Sequence, residues 1–164
     1  MRKLLLVLIG VMLSCLIGGT GKAVGDEKIA EDFVKAQGYD IITPKGEINK
    51  YVLEKSKLHG GTETIPYQQS WGVQTVGPDS YFGKEIIIYG FIVKNHPLEK
   101  KDKNVQNGVA VNIMLSDSKV IGGYSYPNED IVGAYSSLDG KTLEEVTGLS
   151  FQQWQDNWNK KYRN

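Results

Sequence analysis

The sequence predicts one α+β domain: an antiparallel sheet of about five or six strands, with the first and last helices packed on one of its faces. Three observations carry this. Residues 86–93, Ile-Ile-Ile-Tyr-Gly-Phe-Ile-Val, form an unbroken β-branched and aromatic run of the kind a strand buried on both faces requires. Val109, Val111, Ile113 and Leu115 alternate with smaller or polar neighbours at the period of a half-buried strand. Two stretches near the ends of the chain carry apolar residues three and four apart, the spacing of one helix face.

Taken in order, Asp26 is placed to cap a helix running through Gln37, with Ile29, Ala30, Phe33 and Val34 as its apolar stripe and Gly38 as its stop. Tyr39–Thr43 reads as a strand closed by a turn at Pro44-Lys45-Gly46. Ile48–Leu58 suits either a helix or the second strand of a hairpin, and Tyr51-Val52-Leu53 favours the hairpin. After a loop at His59–Thr62, Pro66 can open a short helical turn bearing Tyr67 and Trp71, because proline is tolerated in the first turn. Gly72–Lys84 reads as irregular. Glu85–Lys94 is the central strand, with Gly90 marking a bulge or a close contact. Pro97–Asn107 is a solvated loop. The carboxyl-terminal meander follows: Val109–Leu115, a tight turn at Ser116–Lys119, a return strand over Val120–Tyr126, a turn at Pro127–Asp130 and a last strand over Ile131–Ser136. Thr142 with Glu145, and Ser150 with Gln153, are two capping boxes in succession. The second introduces Phe151, Trp154 and Trp158 on one side of a helix reaching about Tyr162.

The amino terminus speaks of location. Arg2 and Lys3 precede an apolar run from Leu4 to Leu13, long enough for a signal segment and about half the roughly 20 residues that span a bilayer. The run ends at Met12-Leu13-Ser14-Cys15, which holds the single cysteine of the chain. This resembles the lipobox of bacterial lipoproteins, in which the cysteine thiol receives a diacylglyceryl group and becomes the new first residue. Met12, the large Leu13 and the apolar Leu16-Ile17 depart from the commonest form, and the competing reading is an ordinary signal or an uncleaved anchor. On the lipobox reading, residues 1–14 are a signal peptide, 15–25 a lipidated cysteine with a glycine-rich tether reaching on the order of 20 Å, and 26–164 the folded domain. Two acyl chains anchor stably, since each buried methylene contributes roughly 0.8 kcal/mol. The chain as a whole resembles the small lipoproteins that Gram-positive bacteria export, through residues 12–15 and the stretches 90–97, 122–127 and 137–145. That resemblance implies a site for the acyl group at Cys15 and assigns a role to no other residue.

The rest of the composition excludes more than it selects. The chain has 19 basic and 19 acidic side chains, and loss of Arg2 and Lys3 leaves 17 against 19, a net charge near −2. Nucleic acid is therefore not an expected partner, because phosphate recognition needs a concentrated basic surface. With one cysteine, no disulfide can form within the chain. Gly21-Lys22 lacks the preceding glycine and the following hydroxyl of a phosphate loop, which places Leu16 and Ala23 there instead. Ser116-x-x-Lys119 matches the spacing of penicillin-recognising enzymes but falls in a hairpin turn, and Lys141-Thr142 is followed by Leu143 rather than glycine. His59 and His96 are the only histidines and have no paired ligand spacing, so neither a metal nor another cofactor is implied. Adjacent acids at Glu129-Asp130 and Glu144-Glu145 point apart and cannot readily share a substrate. Trp71, with Tyr67, Tyr81 and His96 as weaker companions, is the candidate for an exposed ligand contact, and no catalytic residue is named. The sequence thus favours a non-enzymatic binding module on the outer face of the cell membrane, engaging a protein or a wall component. The alternative is a wall-directed hydrolase or a protease inhibitor using His96 or His59.

Overall fold

A computed structural model describes residues 20–101, 105–129 and 133–163. Cys15 and the signal segment lie outside these residues. Among the described residues five strands make one antiparallel sheet in sequence order: β1 (Asp40–Val52), β2 (Glu85–Lys94), β3 (Val109–Ser116), β4 (Lys119–Pro127) and β5 (Ser136–Ser137). Five helices accompany them: α1 (Thr20–Ala36), α2 (Ile65–Gly72), the single turn α3 (Leu98–Lys101), α4 (Leu143–Thr147) and α5 (Phe151–Tyr162). The α+β class and the antiparallel meander stand as the sequence predicts.

The helices, however, divide between the two faces rather than sharing one. Ala30 and Val34 of α1, with Phe33 partly covered, pack on Ile87, Tyr89, Phe91, Val93, Val111 and Ile113. Trp154, Trp158 and Tyr162 of α5 join Trp71 of α2 against Ile86, Ile88, Met114 and Tyr124 on the reverse side. The cause is visible in β2. Its side chains alternate between faces, yet Ile86–Val93 is buried throughout, so each face needs its own cover. β3 is likewise buried at every position, not half-buried, since Ala110, Asn112 and Met114 are as enclosed as their apolar neighbours. Each fully buried large aliphatic side chain contributes about 1.5–3 kcal/mol, which makes this central pair the main source of stability.

The sheet edge holds the largest departure from expectation. Pro44-Lys45-Gly46 is not a turn; β1 runs straight through it and pairs with β2 from Asp40↔Lys94 to Val52↔Glu85. The register slips between Ile41 and Thr43, between Pro44 and Gly46, and between Glu47 and Asn49, which are three bulges in one edge strand. An edge strand tolerates proline because one row of its backbone groups needs no partner, and Gly46 takes φ +70°, as a bulge glycine can. The segment 48–58 is accordingly strand as far as Val52, paired with β2 rather than with residues 39–43, and then a 3₁₀ turn at Lys55–Lys57. Gly90 marks a close contact: a Cβ there would lie 2.9 Å from Ile48 Cγ2.

Elsewhere the differences are local. α1 begins at Thr20, so Asp26 is a buried residue inside the helix rather than its cap, and the tether expected over 15–25 is helical from Thr20. Part of the expected loop at 97–107 is the turn α3. The last strand shrinks to Ser136-Ser137; residues 133–135 run without regular structure, and the start expected at Ile131 lies outside the described residues. Both capping boxes form as predicted, with Thr142 Oγ1 and Ser150 Oγ accepting from the N–H of Glu145 and Gln153. The Ser116–Lys119 hairpin turn also forms, with Asp117 and Ser118 both at positive φ.

Candidate functional site

The residues nominated for ligand contact are mostly spent on the core. Trp71 is only 2 % exposed, and its indole N–H donates to Tyr51 Oη at 3.0 Å. Tyr67 meets Tyr51 edge-on at 4.8 Å, and Tyr81 lies tilted on Trp71 at 5.6 Å. Trp71 is therefore the inner member of an aromatic cluster and not an exposed contact; Tyr67 and Tyr81 cover it from the surface. Its distribution of polarity explains this, because an indole with a satisfied N–H is among the best core fillers.

His96 is 1 % exposed and likewise structural. The N–H of Leu98 donates to its Nδ1 at 3.1 Å, which places the ring proton on Nε2, where it donates to the Leu138 carbonyl at 2.9 Å. Burial holds its pKa below the ordinary histidine value, against the opposing pull of the Leu138 carbonyl, Glu99 and Asp139. With both nitrogens committed, the ring ties the start of α3 to the loop before α4. His59 is half-buried and lines a polar cavity of about 660 Å³ with Thr62, Gln68, Gln155, Asn159 and Arg163. Among the described residues no carboxylate lines that cavity, so the histidine, acid and hydroxyl of a hydrolytic site do not meet there within them. Among the described residues no group of His, Cys, Asp and Glu could hold a metal ion.

A more apolar space lies elsewhere. Between α2, α4, α5 and residues 134–136 lies a mainly apolar cleft of about 380 Å³. Its walls are Val73, Leu143, Trp154, Phe151 and Tyr135, with Gln69, Ser136, Thr142 and Glu144 as the polar groups. The two capping boxes place it. They start α4 and α5 at fixed residues, which sets Leu143 and Glu144 in the first turn of one helix and Phe151 in the first turn of the next. Phe151 is 55 % exposed, although it is the leading member of the aromatic stripe, because the stripe turns from the core at the helix end. Its ring lies 6.0 Å from that of Trp154, which in turn packs on Trp158 at 5.0 Å.

Behind the wall residue Tyr135 is a stack of three tyrosines. Tyr124 and Tyr126, alternate residues on one face of β4, stand 6.3 Å apart with nearly parallel rings. Tyr135 lies across both, at 4.6 and 5.2 Å, inclined by 16° and 18°. One face of the Tyr135 ring is thus covered. Burial and the neighbouring phenols push the Tyr124 hydroxyl well above the usual tyrosine range, and burial raises Tyr135 too, so both stay neutral.

Gln74 holds this strand in place. Its side-chain carbonyl accepts from Gly123 N–H at 3.0 Å, and its amide donates to Gly123 O at 3.0 Å and to Ser70 O. Those are the bonds a neighbouring strand would make, supplied where β5, which pairs only with Tyr124 and Ser125, does not reach.

Sequence reasoning missed Tyr135, Phe151 and Glu144 as a group. Tyr124-x-Tyr126 on a strand was the available signal for paired rings on one face; the third ring comes from a segment without periodicity. Comparison with protein-family models, with curated proteins and with solved structures finds no match to this chain.

Proposed function

We propose that this protein is a non-enzymatic binding module, exported and held at the outer face of the cell membrane by acylation of Cys15, with the Tyr135–Phe151–Trp154 cleft as its contact site. The observation that carries the binding reading is the cleft itself: a concave, mainly apolar space with a few polar groups, the usual character of a ligand site. Phe151 fits that reading, since its ring is 55 % exposed and lines the apolar space. The location reading rests on Arg2, Lys3, the apolar run to Leu13 and the single Cys15. Burial of His96, and the lack of a carboxylate around His59 among the described residues, give the hydrolase alternative no supporting arrangement there.

Each half has its own test. A tagged fatty acid fed to cells should label the wild-type protein and leave Cys15→Ala unlabelled; label on the variant would refute the anchor. A photoreactive benzoylphenylalanine at position 151 should capture an adduct on intact cells, while the same group at Ile42, exposed on the far sheet edge, should not. Equal yields at both positions, or none at either, would refute the cleft as the contact site.

A further inference from the structure

The chemistry of the cleft narrows its ligand. We infer that it takes a small, free organic ammonium ion, with the cation against the aromatic walls and Glu144 as its counter-charge; this deepens the binding reading above and rests on it.

Three features point that way. First, aromatic side chains line the space from two elements, α5 and the segment before β5. Tyr135 commits one ring face to Tyr124 and Tyr126 and keeps the other, and Phe151 and Trp154 stand at 6.0 Å from each other on α5. Ring faces carry negative potential and hold quaternary or alkyl ammonium groups, which shed water more readily than metal ions do. Second, the charge is one-sided. Among the described residues of the walls Glu144 is the single carboxylate, and no lysine, arginine or histidine is there. Its neighbour Glu145 is engaged by the Thr142 N–H and by Lys101, whereas the Glu144 carboxylate has no ion pair or hydrogen bond among the described residues. An anionic ligand would meet repulsion here with no compensating cation. Third, the polar groups are few. A sugar ring brings hydroxyls all around its rim, and Gln69, Ser136, Thr142 and Glu144 are too few to pair them all, leaving buried hydroxyls without partners. An ammonium ion with alkyl substituents asks only for apolar contact and a nearby negative charge.

A phospholipid headgroup could present the same cation, but it adds a phosphate for which the described walls supply no cation. The free ion is therefore the better fit.

The test is calorimetric titration of the full chain in a maltoside detergent with three probes: choline, its uncharged carbon isostere 3,3-dimethylbutan-1-ol, and glycerophosphocholine. Choline should bind, with the isostere and glycerophosphocholine each weaker by about tenfold or more. Glu144→Gln and Phe151→Ala, both at exposed positions, should each weaken choline by about three- to tenfold. Asp32→Asn on α1, the same charge change on the opposite face of the sheet, should leave it unaltered. Equal binding of choline and the isostere would overturn the cation assignment. Tighter binding of glycerophosphocholine would overturn the free ion in favour of a headgroup. Absence of choline binding would overturn the inference outright. In each of those cases an adduct at position 151 on cells would leave the binding module itself standing, so the two readings fail separately.

Discussion

Replacing Gln74 by glutamate tests whether a single side chain finishes the sheet. The two residues have the same shape, so the substitution changes chemistry alone. Glutamate keeps the acceptor for Gly123 N–H but loses the amide that donates to Gly123 O and Ser70 O. Two neutral hydrogen bonds contribute about 1 kcal/mol each, and a half-buried carboxylate aimed at two carbonyl oxygens adds about 1 kcal/mol or more of repulsion. The expected loss is roughly 2–4 kcal/mol at neutral pH, or about 8–15 °C in Tm for a domain of this size. The pH dependence separates this mechanism from a simple loss of packing. Facing two carbonyls, the new carboxyl has a folded pKa above its unfolded value of about 4.3. Below that value it is protonated in both states and its O–H can donate, so much of the deficit vanishes. As pH rises from the unfolded to the folded pKa the deficit grows to its full size, because over that range the folded state still holds a proton that the unfolded state has released. Thermal melts of wild type and variant by circular dichroism between pH 4 and 8 would show a widening gap. A gap that stays constant with pH, or a variant melting within about 1 °C of wild type at pH 7, would refute the strand-mimic role.

Three further outcomes follow from the packing. Gly72→Ala places a Cβ 2.6 Å from Trp154 Cζ2 and 3.3 Å from Leu143 Cδ1, so it should destabilise by about 1–3 kcal/mol and weaken cleft binding; a neutral melt would contradict it. Trp158→Phe removes the buried indole N–H that donates to Leu58 O at 2.7 Å, stranding that carbonyl at a cost of about 1–3 kcal/mol, measurable by urea denaturation. His96, held neutral by burial with its pKa lowered, supplies stability that is complete above about pH 6.5 and is lost as pH falls towards its folded value, since the unfolded state binds the proton first. His96→Gln should be less stable at neutral pH and lack that acid-side slope; an unchanged slope would show the ring to be solvated.

What could be read from the residues depended on how local the physics was. Both capping boxes, the hairpin turn at Ser116–Lys119 and the strand over 85–94 need only neighbours in sequence, and they were legible. The course of β1 was not, because Pro44 and Gly46 carry the same local signal in a turn and in an edge bulge; only the partner strand decides between them. The two-faced packing was implicit in Ile86–Val93, whose apolar residues at every position leave no face for water. Among the candidate contacts, Trp71 failed because exposure is a tertiary property: its N–H finds Tyr51, twenty residues earlier. The cleft was hidden for the same reason, since Tyr135, Glu144 and Phe151 are brought together by two short helices that no periodicity in the intervening residues links.

The claim on which the proposed location depends is the acylation of Cys15. Mass spectrometry of the amino-terminal peptide from the membrane fraction should find a chain beginning at Cys15 and carrying a diacylglyceryl group on its sulfur. A peptide that still contains Met12-Leu13-Ser14, with the thiol unmodified, would contradict the account.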